Sequence, residues 1–191
     1  MNSTEAEISE FLMENVKSLR DQISGEFYRA SAYLRDDTYL PCVTFANPEH
    51  IVNLAIRRFH ETLNTPEHRL VVQSFVANGT VVPIYQVERV ELSPYAWPEE
   101  LLDQIHGETV MGWTFFAATM KDGMNFTFAT STGYEFFDLP EGYSYKDIVE
   151  IHSGTVADEH GRLNEYSLEW SGKCYRDKPF FRCYTDCLPE S

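Results

Sequence analysis

The chain of 191 residues sets 30 Asp and Glu against 15 Lys and Arg, a formal charge of -15 at neutral pH. This excludes a nucleic-acid clamp built on a basic surface, because phosphate binding needs clustered cations. Hydrophobic residues make up 43 % and aromatics 14 %, enough apolar surface to offset the entropy of ordering, so disorder is excluded and the length points to one domain or at most two small ones.

The N-terminus is polar and acidic where a secretory signal would be basic and then apolar, and no uncharged apolar run approaches the roughly 18 residues that span a bilayer. A cytoplasmic protein without membrane association is expected. In that compartment the sequons Asn2-Ser3-Thr4, Asn78-Gly79-Thr80 and Asn125-Phe126-Thr127 read as coincidence.

Ile8, Leu12, Val16, Leu19, Ile23, Phe27, Ala30 and Leu34 step by three or four residues, one stripe on a long leading helix. Ser3 or Thr4 can cap it, Glu5 and Glu7 suit its dipole, and Gly25 is the weak point at which it could bend into two. Phe27 and Ala30 in the stripe suit a helix lying on its own sheet better than a coiled-coil seam. Leu40 to Ala46 is a short apolar run, after which Asn47-Pro48-Glu49 spells a helix start. The stripe of this second helix is Val52, Ala55, Ile56, Phe59 and Leu63, with Ile51 at its margin, and Phe59 is expected in the core.

From Arg69 the period falls to two. Arg69 to Ala77 and Thr80 to Leu92 flank the tight turn Asn78-Gly79, with Pro83 marking an edge or a bulge. Pro98-Glu99-Glu100 opens a short helix through Ile105, closed by Gly107. Thr109 to Met120 and Met124 to Ser131 make a second hairpin turning at Lys121-Asp122-Gly123. Ser144 to His152 reads as a short helix with a capping-box variant in Ser144 and Asp147. Glu165 to Trp170 alternates as a half-buried strand, and a last pair of strands flanks Asp177-Lys178-Pro179. The expectation is an α+β fold: an antiparallel β-sheet meander of five or more strands packed against two N-terminal helices. The single domain would span 1–191, with 1–64 helical and 69–187 mainly sheet with two short helices.

Cys174 would face Cys183 across a last hairpin centred between Lys178 and Pro179, which makes a disulfide or a three-thiolate metal site conceivable. Cys183-x3-Cys187 lacks zinc-site spacing and a nearby His, so with Cys42 these read as idle thiols, and no metal is expected. His152 and His160 bracket Asp158 and Glu159, a set that could hold a divalent ion or act as an acid–base pair. The same segment reads as a polar loop, so His152, Asp158 and His160 are catalytic candidates of an alternative reading only. His60-Glu61-Thr62 is half of a paired H-x-T phosphoesterase signature and lacks its second half. There is no G-x-S-x-G, P-loop, G-x-G-x-x-G or H-E-x-x-H, and no cofactor is expected.

Charge is the feature with a direction. Between Val90 and Gly161 thirteen acids face only Lys121 and Lys146, so this stretch carries -11 of the total. Such a concentration speeds association with a cationic partner and repels nucleic acid, although it also serves solubility alone. The leading expectation is a non-enzymatic acidic binding protein, of inhibitor or immunity type, acting on a basic or nucleic-acid-binding protein. Its contact face would hold Glu99, Glu100, Asp103, Glu108, Asp138, Glu141, Asp147 and Glu150. The alternative is a small enzyme or ligand-binding domain with a pocket between the sheet and the N-terminal helices.

Overall fold

The computed structural model describes residues 4–21, 24–53, 56, 81–131, 136–176 and 178–190. Its backbone divides into two compact units, Met1–Ser93 with Phe180–Ser191, and Pro94–Pro179. The fold is mixed α+β with largely antiparallel sheets.

In the first unit, α1 (Glu5–Asn15) opens on a complete capping box: Thr4 Oγ1 accepts from the Glu7 amide and the Glu7 carboxylate accepts from the Thr4 amide. Ile8 and Leu12 are buried, but Val16 is already extended at φ -118. The expectation of one long helix is corrected here. The chain continues as β1 (Leu19–Asp21) and β2 (Gly25–Leu34), antiparallel with Leu19 opposite Phe27. Gly25, at φ 67, opens β2 in the left-handed region instead of bending a helix. The steps of three and four misled because β2 is buried on both faces from Phe27 to Ala32. Apolar residues then occupy either parity, and their spacing loses its helical meaning.

A turn through Asp37, at φ 65, returns the chain as β3 (Tyr39–Ala46), which is the apolar run ahead of Asn47. Asn47 Oδ1 accepts from the Glu49 amide at 2.9 Å and residues 48–53 are helical, so the second helix starts as expected. Its face is rotated by one position: Ile51 is buried while Val52 and Ile56 are half exposed. Ala55, Phe59, Leu63, the Arg69 to Ala77 strand and the Asn78-Gly79 turn lie outside the described residues. Pro83 interrupts its strand, a single 3-10 turn follows at Ile84–Gln86, and β4 (Val87–Leu92) runs antiparallel to β2. β4 and β1 share one edge of β2, because Ala30 pairs with both Val43 and Leu92 while Phe27 pairs with both Ala46 and Leu19. The last strand, β11 (Phe181–Tyr184), joins the far edge in parallel with β3. Ile8, Leu12, Tyr28, Val43, Phe45 and Cys183 are among the residues of this unit's core.

The second unit opens with α2 (Glu99–Leu102), and Gly107 sits at φ 78 beyond it. β5 (Thr114–Met120) and β6 (Asn125–Thr130) form the expected hairpin, with Thr119 opposite Asn125 and Gly123 at φ 85 in the turn. β7 (Ile148–Ser153) flanks β5, and β10 (Cys174–Arg176) flanks β6 in parallel. β8 (Thr155–Ala157) and β9 (Leu163–Glu165) make a separate ribbon. One sheet face carries the core, where Phe116 stacks on Phe128 at 5.3 Å and Trp97 packs edge-on against Phe128 at 5.2 Å.

Three expectations in this region are corrected. The Ser144–Asp147 capping box is present, yet it closes only one 3-10 turn before β7 begins. A bulge opposite Thr119 and Met120 lets Ile148 and Ile151, three apart, both turn inward, which reproduces a helical spacing on a strand. The strand expected over Glu165 to Trp170 ends at Glu165; the Trp170 amide bonds back to Ser167 in a turn, and Leu168 is 82 % exposed. The last hairpin does not form, since β10 and β11 belong to different sheets in different units, and Cys174 does not oppose Cys183. Among the described residues no helix is long and apolar enough to cross a membrane.

Candidate functional site

The second face of the β5–β6 sheet carries Phe115, Ala117 and Thr119 on β5, with Ala129, Thr127 and Asn125 opposite them. Ala117 and Thr127 at its centre are small enough for the β8–β9 ribbon to approach closely. Thr127 Oγ1 accepts from the Ala157 amide at 2.7 Å, and the Ala157 carbonyl accepts from Trp170 Nε1 at 3.0 Å. The ribbon thereby separates two features of this face, an aromatic pocket at the Phe115 end and a polar network at the Thr119 end.

The pocket has a volume of about 440 Å³, and its walls include Trp113, Phe115, Tyr166, Trp170, Met111 and Cys174. Phe115 stacks on Tyr166 with centroids 4.3 Å apart, and Trp170 meets Phe115 edge-on at 6.0 Å. With its N–H committed to Ala157, the indole of Trp170 is fixed in orientation. The Gly172 backbone lies so close to that ring that a Cβ there would come within 2.6 Å of it. Met111 and Gly112 form the tip of a tight turn closed by hydrogen bonds between Val110 and Trp113, both tip residues having positive φ (46 and 80). Met111 therefore stands 89 % exposed in a conformation that costs a non-glycine residue energy. Glu108 Oε1 accepts from the Gly112 amide at 2.8 Å, which places a carboxylate beside the tip.

At the other end, Asn125 Nδ2 donates to the Gly161 carbonyl at 2.9 Å, so its Oδ1 faces Thr119 and accepts that hydroxyl at 2.6 Å. Thr119 has no second proton to give, so its contact with His152 Nε2 at 3.0 Å requires Nε2 to donate. His152 Nε2 also lies 3.6 Å from Glu150. His160 instead lies exposed beside Glu159, and Asp158 accepts from the amides of His160 and Arg162 and from Arg162 Nε. The Arg162 amide, first among these bonds, holds the Asp158 carboxyl below the ordinary carboxylate range. His152, Asp158 and His160 are thus each engaged in local contacts, which are those of a strand network and a self-bonded loop. Among the described residues no group of three or more His, Cys, Asp or Glu is arranged to hold a metal ion.

Of the acids read as a contact face, Glu100, Asp103, Glu108, Glu141 and Glu150 are exposed, and Glu99, Asp138 and Asp147 are half-buried. Several have local work. Asp138 accepts from Lys178 Nζ at 2.6 Å, and Asp147 accepts from the Ser144 amide at 3.0 Å and lies 3.7 Å from Lys121. The aromatic pocket was not foreseen from the sequence; its one available signal was the alternation of Tyr166 and Trp170 with acids. Compared with known proteins, the chain matches no family model, no curated protein and no solved structure.

Proposed function

We propose that the protein is a non-enzymatic recognition protein of inhibitor or immunity type, whose second unit engages a cationic protein partner. The observation that carries this reading is the placement of charge: residues 94–179 hold 15 acids against 6 Lys and Arg. Five of the contact-face acids in that unit are exposed. A field of this sign raises encounter rates with a basic surface and opposes contact with nucleic acid. A cytoplasmic location fits the same reading. The second reading, a small-ligand-binding unit, is favoured by the size of the aromatic pocket, which falls in the range that holds a small molecule. That pocket is formed within the second unit, not by the N-terminal helices of the earlier expectation.

The test is the association rate of a Lys- and Arg-rich probe peptide, measured by surface plasmon resonance at low and physiological salt. Replacing Glu99, Glu100 and Asp103 together (Glu99→Gln, Glu100→Gln, Asp103→Asn) is expected to lower the association rate and flatten its salt dependence. Dissociation should change little, because steering acts before contact and fades over a Debye length of about 8 Å at physiological ionic strength. Equal rates in parent and variant at both salts overturn the proposal.

A further inference from the structure

We infer that the pocket walled by Trp113, Phe115, Tyr166 and Trp170 binds a quaternary ammonium group, an inference that rests on the reading of the second unit as a binder of cations. Four aromatic side chains line one opening, Phe115 stacked on Tyr166 and edge-on to Trp170, and all four are only partly buried, unlike the fully buried Phe116 and Phe128. Among the described residues no carboxylate or side-chain amide lines the cavity, and the Trp170 N–H is already bonded to Ala157. A guanidinium or primary ammonium seated there would meet no carboxylate among these lining residues to offset the hydration its N–H groups give up. A quaternary ammonium has no N–H to satisfy, and it loses less hydration on entering. The charge around the opening argues against the other ligand classes. Glu108 is held beside the Met111-Gly112 tip, and of the charged residues next in the chain to the other walls, Glu165 and Glu169 outnumber Lys173, all three exposed, so the surround is net negative. Anions are repelled by this surround and a neutral apolar group gains nothing from it, whereas a cation is drawn in at long range and held at short range by the rings.

A trimethylammonium group can come from a methylated lysine on a protein or from a small choline-type molecule, and the experiment separates the two. Tryptophan fluorescence and calorimetry of the full chain would be followed on addition of choline, tetramethylammonium and the uncharged tert-butyl isostere of choline. Saturable binding of the cations is expected, with the isostere weaker by about tenfold or more. Trp113→Leu and Tyr166→Leu should each abolish most of the binding, with circular dichroism confirming that the variants fold. A matched pair of peptides, one with trimethyllysine and one with plain lysine, gives the source. Preference for the methylated peptide assigns a protein ligand, while choline binding without that preference assigns a small molecule. Equal affinity for choline and its isostere, or no saturation by about 10 mM, overturns the inference. If the basic probe peptide still binds through Glu99, Glu100 and Asp103 in that case, the proposed function stands without it; if choline binds and no basic peptide does, the pocket stands and the proposed function falls.

Discussion

Gly172 is the residue on which the pocket's geometry turns. A Cβ there would lie 2.6 Å from Trp170 Cζ2 and 2.8 Å from its Nε1, so Gly172→Ala must displace the indole or the backbone beside it, and displacing the indole strains its bond to Ala157. Overpacking of this kind costs about 1–3 kcal/mol. The variant is expected to unfold at lower urea and to emit at longer wavelength; an unchanged emission spectrum and midpoint would show that the ring is not held this way. Cys183 shows the opposite situation, a group protected by its surroundings. Burial, with the charge of Glu5 adding, pushes its thiol up to about 12. A folded value above the ordinary thiol range, about 8.5 for a free cysteine, means that the folded state keeps a proton the unfolded chain releases. The stabilisation is present below about pH 8.5 and is lost as pH rises towards the folded value. Brief alkylation of the native protein followed by mass spectrometry should label exposed Cys187 and spare Cys183, and equal labelling would contradict the burial. The site residues were legible only singly. Tyr166 and Trp170 stood out by alternation, but Met111-Gly112 lacks the Asn-Gly signature of the turn it makes, so nothing in the sequence brought Trp113 to the same opening.

At the scale of elements, most capping and turn chemistry was readable, while spacing held in α1 and failed beyond it. Thr4 and Asn47 start helices as their side chains dictate, and Lys121-Asp122-Gly123 turns the expected hairpin. The stripe from Val16 to Leu34 failed because burial on both faces of β2 erases period, and Ile148 with Ile151 failed because a bulge changes parity. With Phe59 outside the described residues, the helix face is best tested at Leu12, which is fully buried in the first unit's core. Leu12→Ala should cost about 2–5 kcal/mol by chemical denaturation, and a loss under about 1 kcal/mol would mean that α1 is peripheral to that core. The segment after α2 also guards a sheet edge. Ser153 Oγ on β7 donates to the Gln104 carbonyl at 2.8 Å and accepts from the His106 amide at 2.9 Å. Strand edges left open invite pairing with other chains. Ser153→Ala removes both bonds and should raise amide exchange at 104–107 before it affects β5 and β6; unchanged exchange there would show that other contacts hold the segment.

At the scale of the whole chain, the division into two units was hidden from the sequence because its cause is a long-range pairing. β11 returns to β3 across most of the chain, and neither strand's composition names its partner. The charge asymmetry was legible, since it needs only counting, and it has a consequence for stability as well as for binding. Three carboxyls of the second unit are held below the ordinary carboxylate range by hydrogen bonds: Asp122 by the Tyr143 hydroxyl, Asp147 by the Ser144 amide and Asp158 by the Arg162 amide. A lowered folded value means that the unfolded chain takes up protons first as pH falls. Their stabilisation is complete above about pH 4 and is lost as pH drops through the folded values. Repulsion among the unit's 15 acids works the other way, because the same protons relieve it. The two effects separate by salt, since repulsion between exposed charges is screened at high ionic strength while a direct hydrogen bond is screened much less. All three tryptophans lie in this unit, so urea unfolding followed by their fluorescence reports on it directly. In about 0.5 M salt, stability is expected to change little from about pH 7 to pH 5 and then to fall as pH drops towards 3. At low salt the fall should be shallower, because relief of repulsion offsets part of it. Asp158→Asn should flatten the high-salt fall. A rise in stability between pH 4 and pH 3 at high salt would show that crowding among the carboxylates, and not their hydrogen bonds, governs the acid response.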